Sequence, residues 1–137
     1  MRKKIISVVC FLLAVFVSHG IAADSASFFF LQLSDPQFGF MDNNKSISAE
    51  TEAMNKAVTA INQLKPPFVV ITGDFVNNSK SKEQIAAYKS MIAQIDSSVK
   101  VYMIPGNHDI GKVSRASIDN YKKNYGEPHF SFRYGDC

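Results

Sequence analysis

The chain holds 137 residues, enough for one domain, and its 46% hydrophobic, 12% aromatic and 20% charged composition is that of an ordinary globular protein, which excludes a disordered chain. Fifteen Lys and Arg against twelve Asp and Glu give a formal charge of +3. That excess is carried by Arg2, Lys3 and Lys4; without them twelve basic residues face twelve acidic ones, a balance that excludes a nucleic-acid binder relying on many phosphate contacts.

The three cations precede a 13-residue apolar run from Ile5 to Val17 and the small-residue stretch Ser18-His19-Gly20-Ile21-Ala22-Ala23. Charged, apolar and small-residue regions in this order predict a secretory signal peptide over 1–23, cleaved after Ala22 or Ala23, and hence a periplasmic or extracellular location. The rival reading is an uncleaved anchor. The run is short of the ~20 residues a spanning helix needs, so no stable membrane anchor is expected. Cys10 leaves with the signal, and Cys137 alone cannot form an internal disulfide, so the domain at 24–137 depends on its core or on a metal.

Phe28-Phe29-Phe30-Leu31-Gln32-Leu33 predicts a buried strand that ends at Ser34-Asp35-Pro36. Met54, Ala57, Val58, Ile61 and Leu64 recur at helical spacing, with Glu50 and Glu52 in the first turn and Pro66-Pro67 as the stop. Phe68 to Thr72 is a β-branched run and predicts a second buried strand, halted at Gly73-Asp74. Ser81-Lys82-Glu83-Gln84 fits a capping box opening a helix whose apolar face is Ile85, Tyr88, Met91, Ile92 and Ile95. Val101 to Ile104 predicts a third buried strand, Ser117 to Tyr125 a short helix, and Phe130 to Tyr134, by its alternation, a half-exposed strand leading into a hairpin turn at Gly135-Asp136. Strand, helix, strand, helix, strand predicts a parallel α/β sheet with right-handed crossovers, and in such sheets ligands bind beyond the carboxyl ends of the strands.

Each of the three buried strands is followed there by groups that suit a hard cation. Asp35 and Gln37 follow the first, Asp74, Asn77 and Asn78 the second, and Asn107, His108 and Asp109 the third. One acid at a strand end is an ordinary turn residue. Three sets on neighbouring strands predict a site, and oxygen donors with imidazole suit Mn, Fe or Zn.

The segment Leu31 to Gly39 with its Ser34-Asp35-Pro36-Gln37, the pair Gly73-Asp74 and the run Gly106-Asn107-His108-Asp109 resemble the first three motifs of calcineurin-like metallophosphoesterases. The resemblance implies the amino-terminal βαβαβ part of a layered α/β sandwich, a phosphorylated substrate, and two divalent or trivalent metal ions. It implies that Asp35 ligates one ion, Asp74 bridges both and Asn107 ligates the second, while His108, with Asp109 fixing its tautomer, assists at the scissile phosphate. Gln37 stands where the family usually has His, as in a phosphoprotein-phosphatase-like branch, and is either a ligand through its amide oxygen or a hydrogen-bond partner of bound water. Asn77 stands where an acid is common, which leaves its supporting role open. The family also completes its site with later histidines, and His129 reads as a partly buried strand residue, so the chain is expected to be somewhat under half of such a domain and inactive as written. The alternative is a non-catalytic secreted α/β module that binds a cation weakly or a partner through an open sheet edge.

Overall fold

The computed structural model describes residues 27–135, so the predicted signal peptide, Cys10, Asp136 and Cys137 lie outside the described residues. Seven elements follow one another: β1 (Leu31–Ser34), α1 (Ser48–Leu64), β2 (Phe68–Thr72), α2 (Lys82–Ile92), β3 (Lys100–Ile104), α3 (Asn107–Ile110) and α4 (Arg115–Tyr125). The strands form a parallel sheet in the order β1-β2-β3, with Leu33 opposite Ile71 and Ile71 opposite Met103. This is the expected α/β class.

Alternation along the strands divides the sheet into two faces. Leu31, Leu33, Val69, Ile71, Val101 and Met103 join the core with Met54, Val58 and Ile61 of α1 and Tyr88 and Met91 of α2. α1 ends because Lys65 turns left-handed at φ 47°, its N–H still bonded to Ile61 O, and Pro66-Pro67 cannot continue a helix. Leu64, expected on the buried face, is 54% exposed at the last position of the helix.

β2 is the buried strand. β1 and β3 flank it and are only half-buried, so the expectation of three buried strands holds for the central one alone. β1 also starts three residues late: Phe28, Phe29 and Phe30 precede it and are exposed. The second face explains both departures. Residues 130–134 form no strand; the segment crosses this face and lays alternate rings on it. Phe132 stacks on Tyr102 at 3.9 Å between ring centroids, Phe130 lies 5.5 Å from Tyr102, and Tyr134 reaches Phe68 and Phe28. The period-2 pattern is therefore real, and it serves side-chain docking rather than backbone pairing.

The capping box of α2 forms by half. Ser81 Oγ accepts the Gln84 N–H at 3.3 Å, but the Gln84 side chain, buried on the same helix face as Tyr88 and Met91, is directed elsewhere. α4 begins two residues before its predicted start because Ser114 and Ser117 cap each other.

Candidate metal centre

The loops after the three strands are stitched together backbone to backbone. Asp35 N–H donates to Gly73 O at 3.2 Å, Gln37 N–H to Asp74 O at 2.8 Å and Phe38 N–H to Phe75 O at 3.1 Å, so the first loop runs beside the second past the end of the sheet. Asp35, Gln37 and Asp74 all sit in the left-handed region, at φ 53°, 36° and 45°. Non-glycine residues rarely hold this conformation, and here successive cross-loop bonds enforce it. The third loop closes on the second through two glycines. A Cβ on Gly73 would stand 2.7 Å from Gly106 Cα, and one on Gly106 would stand 2.1 Å from Asp74 Oδ1.

Asp74 is 7% exposed and lies at the junction. Its Oδ1 accepts the His108 N–H at 2.7 Å, which ties the second loop to α3. The Asp35 carboxylate is exposed and accepts from Ser34 Oγ. Asn107 is exposed at the start of α3. His108 Nδ1 is 3.0 Å from Asn77 O, and a carbonyl can only accept, so Nδ1 carries the proton and Nε2 is left for other chemistry.

Asp109 departs from its expected place. Its carboxylate does not fix the His108 tautomer: Oδ1 accepts from Phe75 N–H at 2.8 Å and Val76 N–H at 3.3 Å, and Oδ2 from Gly106 N–H at 2.9 Å. Successive residues of a helical turn do not face each other, so once Asn107–Ile110 coils, Asp109 turns inward and His108 toward Asn77. Burial pushes the Asp109 carboxyl up to about 6, more than the N–H groups of Gly106, Phe75 and Val76 pull it down, and nearby Asp74 raises it further. Asp109 is a clamp between loops.

Asn77 proves central. Besides holding His108 through its carbonyl, its side chain accepts from Gln37 Nε2 at 3.4 Å and donates to Asn44 Oδ1 at 2.9 Å. The sequence assigns neither Asn44, a loop residue, nor Gln84, a capping-box residue, to the site, yet Gln84 Nε2 donates to Asn44 Oδ1 at 2.9 Å. The available signal was a polar residue at position 84, four and seven residues before Tyr88 and Met91 on one helix face. Asn78 acts as a turn residue, its Oδ1 accepting from Lys80 N–H at 3.0 Å. His129 is exposed and in no strand, contrary to expectation.

The arrangement brings Asp35, Gln37, Asp74 and Asn107 to one sheet end. All are oxygen donors suited to a hard cation. Among the described residues no three His, Cys, Asp or Glu side chains are grouped as ligands of one metal, so the set fits a hard cation in kind and draws on the Gln37 and Asn107 amides as well as the two carboxylates. A cavity of about 200 Å³ opens beside Asp35, lined by Pro36, Met41, Glu50 and Met54 among others.

A parallel α/β sheet with acids and amides from three consecutive strand ends defines the class, and the comparison with known proteins gives the family. Residues 30–137 match the calcineurin-like phosphoesterases, and the chain belongs to that family. Among its relatives is the serine/threonine-protein phosphatase CPPED1 of Bos taurus, 34% identical over 124 residues that cover 79% of this chain and 40% of that protein. The Homo sapiens protein of the same name is 30% identical over 139 residues, covering 90% and 44%. That of Danio rerio is 29% identical over 127 residues, covering 81% and 41%. The chain thus spans less than half the length of these curated relatives.

Proposed function

We propose that the chain carries one part of a dinuclear, metal-dependent phosphoesterase site that hydrolyses phosphate monoesters, with phosphoserine or phosphothreonine as the substrate class its relatives' names suggest. The observation that carries the reading is the buried Asp74 carboxylate at the meeting of all three loops. Asp35 and Gln37 would hold one ion, Asn107 the other, and Asp74 both. Divalent cations, when bound, polarise phosphoryl oxygens and acidify water. The chain's own contribution is positional: Nδ1-protonated His108 offers Nε2 to a leaving oxygen, and in its imidazolium form it can donate a proton there.

Residues 27–135 supply too few donors to hold two ions firmly, so we read the chain as weakly metal-binding and poorly active without further ligands. That shortage also favours a second reading, a non-catalytic α/β module. Mn²⁺ titration with turnover of p-nitrophenyl phosphate separates the two. Wild type is expected to bind Mn²⁺ measurably, and Asp74→Asn to lose at least one ion; no Mn²⁺ binding, or full two-ion stoichiometry in Asp74→Asn, would sink the phosphoesterase site. Turnover equal to that of a polypeptide as long as the relatives would show the ligand set to be complete as it stands. Export through the 1–23 segment belongs to the same reading, and amino-terminal sequencing of the exported chain should begin at Ala23 or Asp24.

A further inference from the structure

We infer that a relay of side-chain amides running from Gln84 through Asn44 and Asn77 fixes the orientation of Gln37, so that its carbonyl oxygen, and not its NH₂, is presented to the metal centre. The inference rests on the phosphoesterase reading for the ion, and on the hydrogen bonds alone for the orientation.

The polarity of the relay follows from one unambiguous donor. Asn78 N–H is a backbone donor, and it meets Gln84 at 2.8 Å, so the atom it meets is the Gln84 amide oxygen. The other Gln84 atom is then the NH₂, and it donates to Asn44 at 2.9 Å, which makes the Asn44 atom an acceptor oxygen. That same oxygen meets Asn77 at 2.9 Å, so Asn77 turns its NH₂ toward Asn44. Its remaining side-chain atom is an oxygen, and it accepts from Gln37 Nε2 at 3.4 Å. With Nε2 occupied, Gln37 has Oε1 left over. A single backbone N–H thus sets the sense of four amides.

The relay is also sterically prepared. Gln84 is 3% exposed, and a Cβ on Gly39 would stand 2.2 Å from its Nε2, so the loop passes over this amide only because residue 39 is glycine. Asn44 itself is held at φ 67° by its N–H bond of 2.7 Å to Gly39 O. Asn44, Asn77 and Gln84 therefore act as positioning residues for Gln37, and their product is one oriented Gln37 oxygen. A neutral amide oxygen is an acceptable ligand for a hard cation, whereas an NH₂ is not.

Position 44 supplies a matched pair of tests, since it is exposed and Gly, Asp and Asn all tolerate its backbone conformation. Asn44→Gly deletes the shared acceptor, while Asn44→Asp keeps it. In the metal-free chain, the side-chain NH₂ protons of Asn77 should be protected from solvent exchange in wild type and in Asn44→Asp, and lose protection in Asn44→Gly. Mn²⁺ affinity should fall about tenfold in Asn44→Gly, the size of effect seen when a group supporting a ligand is removed, and hold or rise in Asn44→Asp. Gln84→Glu keeps the acceptor for Asn78 but removes the donor, so the relay inverts and affinity should fall at least as far. Equal Asn77 exchange in all variants would overturn the relay whatever the metal does. Intact exchange differences with equal Mn²⁺ affinity would overturn the role assigned to Gln37. Absence of Mn²⁺ binding in every form would instead sink the phosphoesterase reading, the exchange data still deciding the relay.

Discussion

The Asp109 carboxylate accepts three backbone N–H groups from two loops while only 1% exposed, and without it those donors face a nearly dry interior. Each unsatisfied buried donor costs about 1–3 kcal/mol, so Asp109→Ala is expected to lose about 3 kcal/mol or more in urea unfolding. A loss under about 1 kcal/mol would show that water replaces the clamp. His108 calls for the opposite outcome. Its side chain meets Asn77 O and no candidate ligand, so His108→Asn should leave Mn²⁺ stoichiometry intact and slow any phosphatase turnover by about 10²–10⁴, as removal of a general acid does. Loss of an ion in that variant would make His108 a ligand. The two neighbours were hard to tell apart in the sequence, because adjacency says nothing about which way each side chain turns once the segment coils. The strand-end acids were easier to place, since a buried parallel strand has one polar exit and its loop must lie there.

At the scale of elements, α1 is tied to the loop before β3 through Asp96. Its N–H donates to Asn62 Oδ1 at 2.8 Å, its Oδ1 accepts from Ser98 N–H at 2.9 Å and Ser98 Oγ at 2.8 Å, and its Oδ2 lies 3.3 Å from Lys65 Nζ. These partners, the Ser98 N–H foremost, hold the carboxyl down to about 2 from its ordinary 3.8. A carboxyl with a lower pKa folded than unfolded adds stability that is complete above its unfolded pKa and is lost as pH falls through the folded one. Asp96→Asn should therefore melt below wild type at pH 6, and the two should converge toward pH 2. A gap independent of pH would assign the effect to something other than ionisation. α1, α2 and α4 were legible in the sequence because one buried face repeats every three or four residues, and β2 because it is buried in the centre of the sheet; α3, a single turn from Asn107 to Ile110, is too short to show such a repeat and reads as a loop. β1 was misjudged over Phe28 to Phe30, since a continuous apolar run reads alike whether a strand or an aromatic tail receives it. The strand predicted at 130–134 failed for the related reason that period-2 alternation describes any extended segment lying on a surface.

Across the whole molecule, among the described residues, the sheet has one face closed by helices and one closed only in part, by Phe28, Phe30 and the five residues from Phe130 to Tyr134. Among the described residues no backbone ladder holds that last segment; aromatic contacts do. Tyr102 and Phe132 lie parallel within 7° at 3.9 Å, and Phe68 is surrounded by Phe28, Phe30, Phe132 and Tyr134 at 5.0–6.0 Å. Phe130, Phe132 and Tyr134 nevertheless remain 42%, 41% and 38% exposed, so each gains only part of the stabilisation of a core ring. An aromatic pair contributes about 0.5–1.5 kcal/mol beyond area burial, which converts to about a two- to tenfold change in the population of a released tail. Arg133 lies between two of the docked rings and supplies a cleavage point for trypsin. A protease needs its substrate segment free of the surface, so the cleavage rate reports the released population when docking is fast. Phe132→Ala should accordingly raise the rate of cleavage after Arg133 by about two- to tenfold at low protease, with Tyr102→Ala giving a similar rise and Phe29→Ala little change. Phe29 is the control because it is 50% exposed and stacks on none of the tail rings among the described residues. Equal cleavage in all three variants and wild type would show that stacking on Tyr102 does not hold the segment against the sheet.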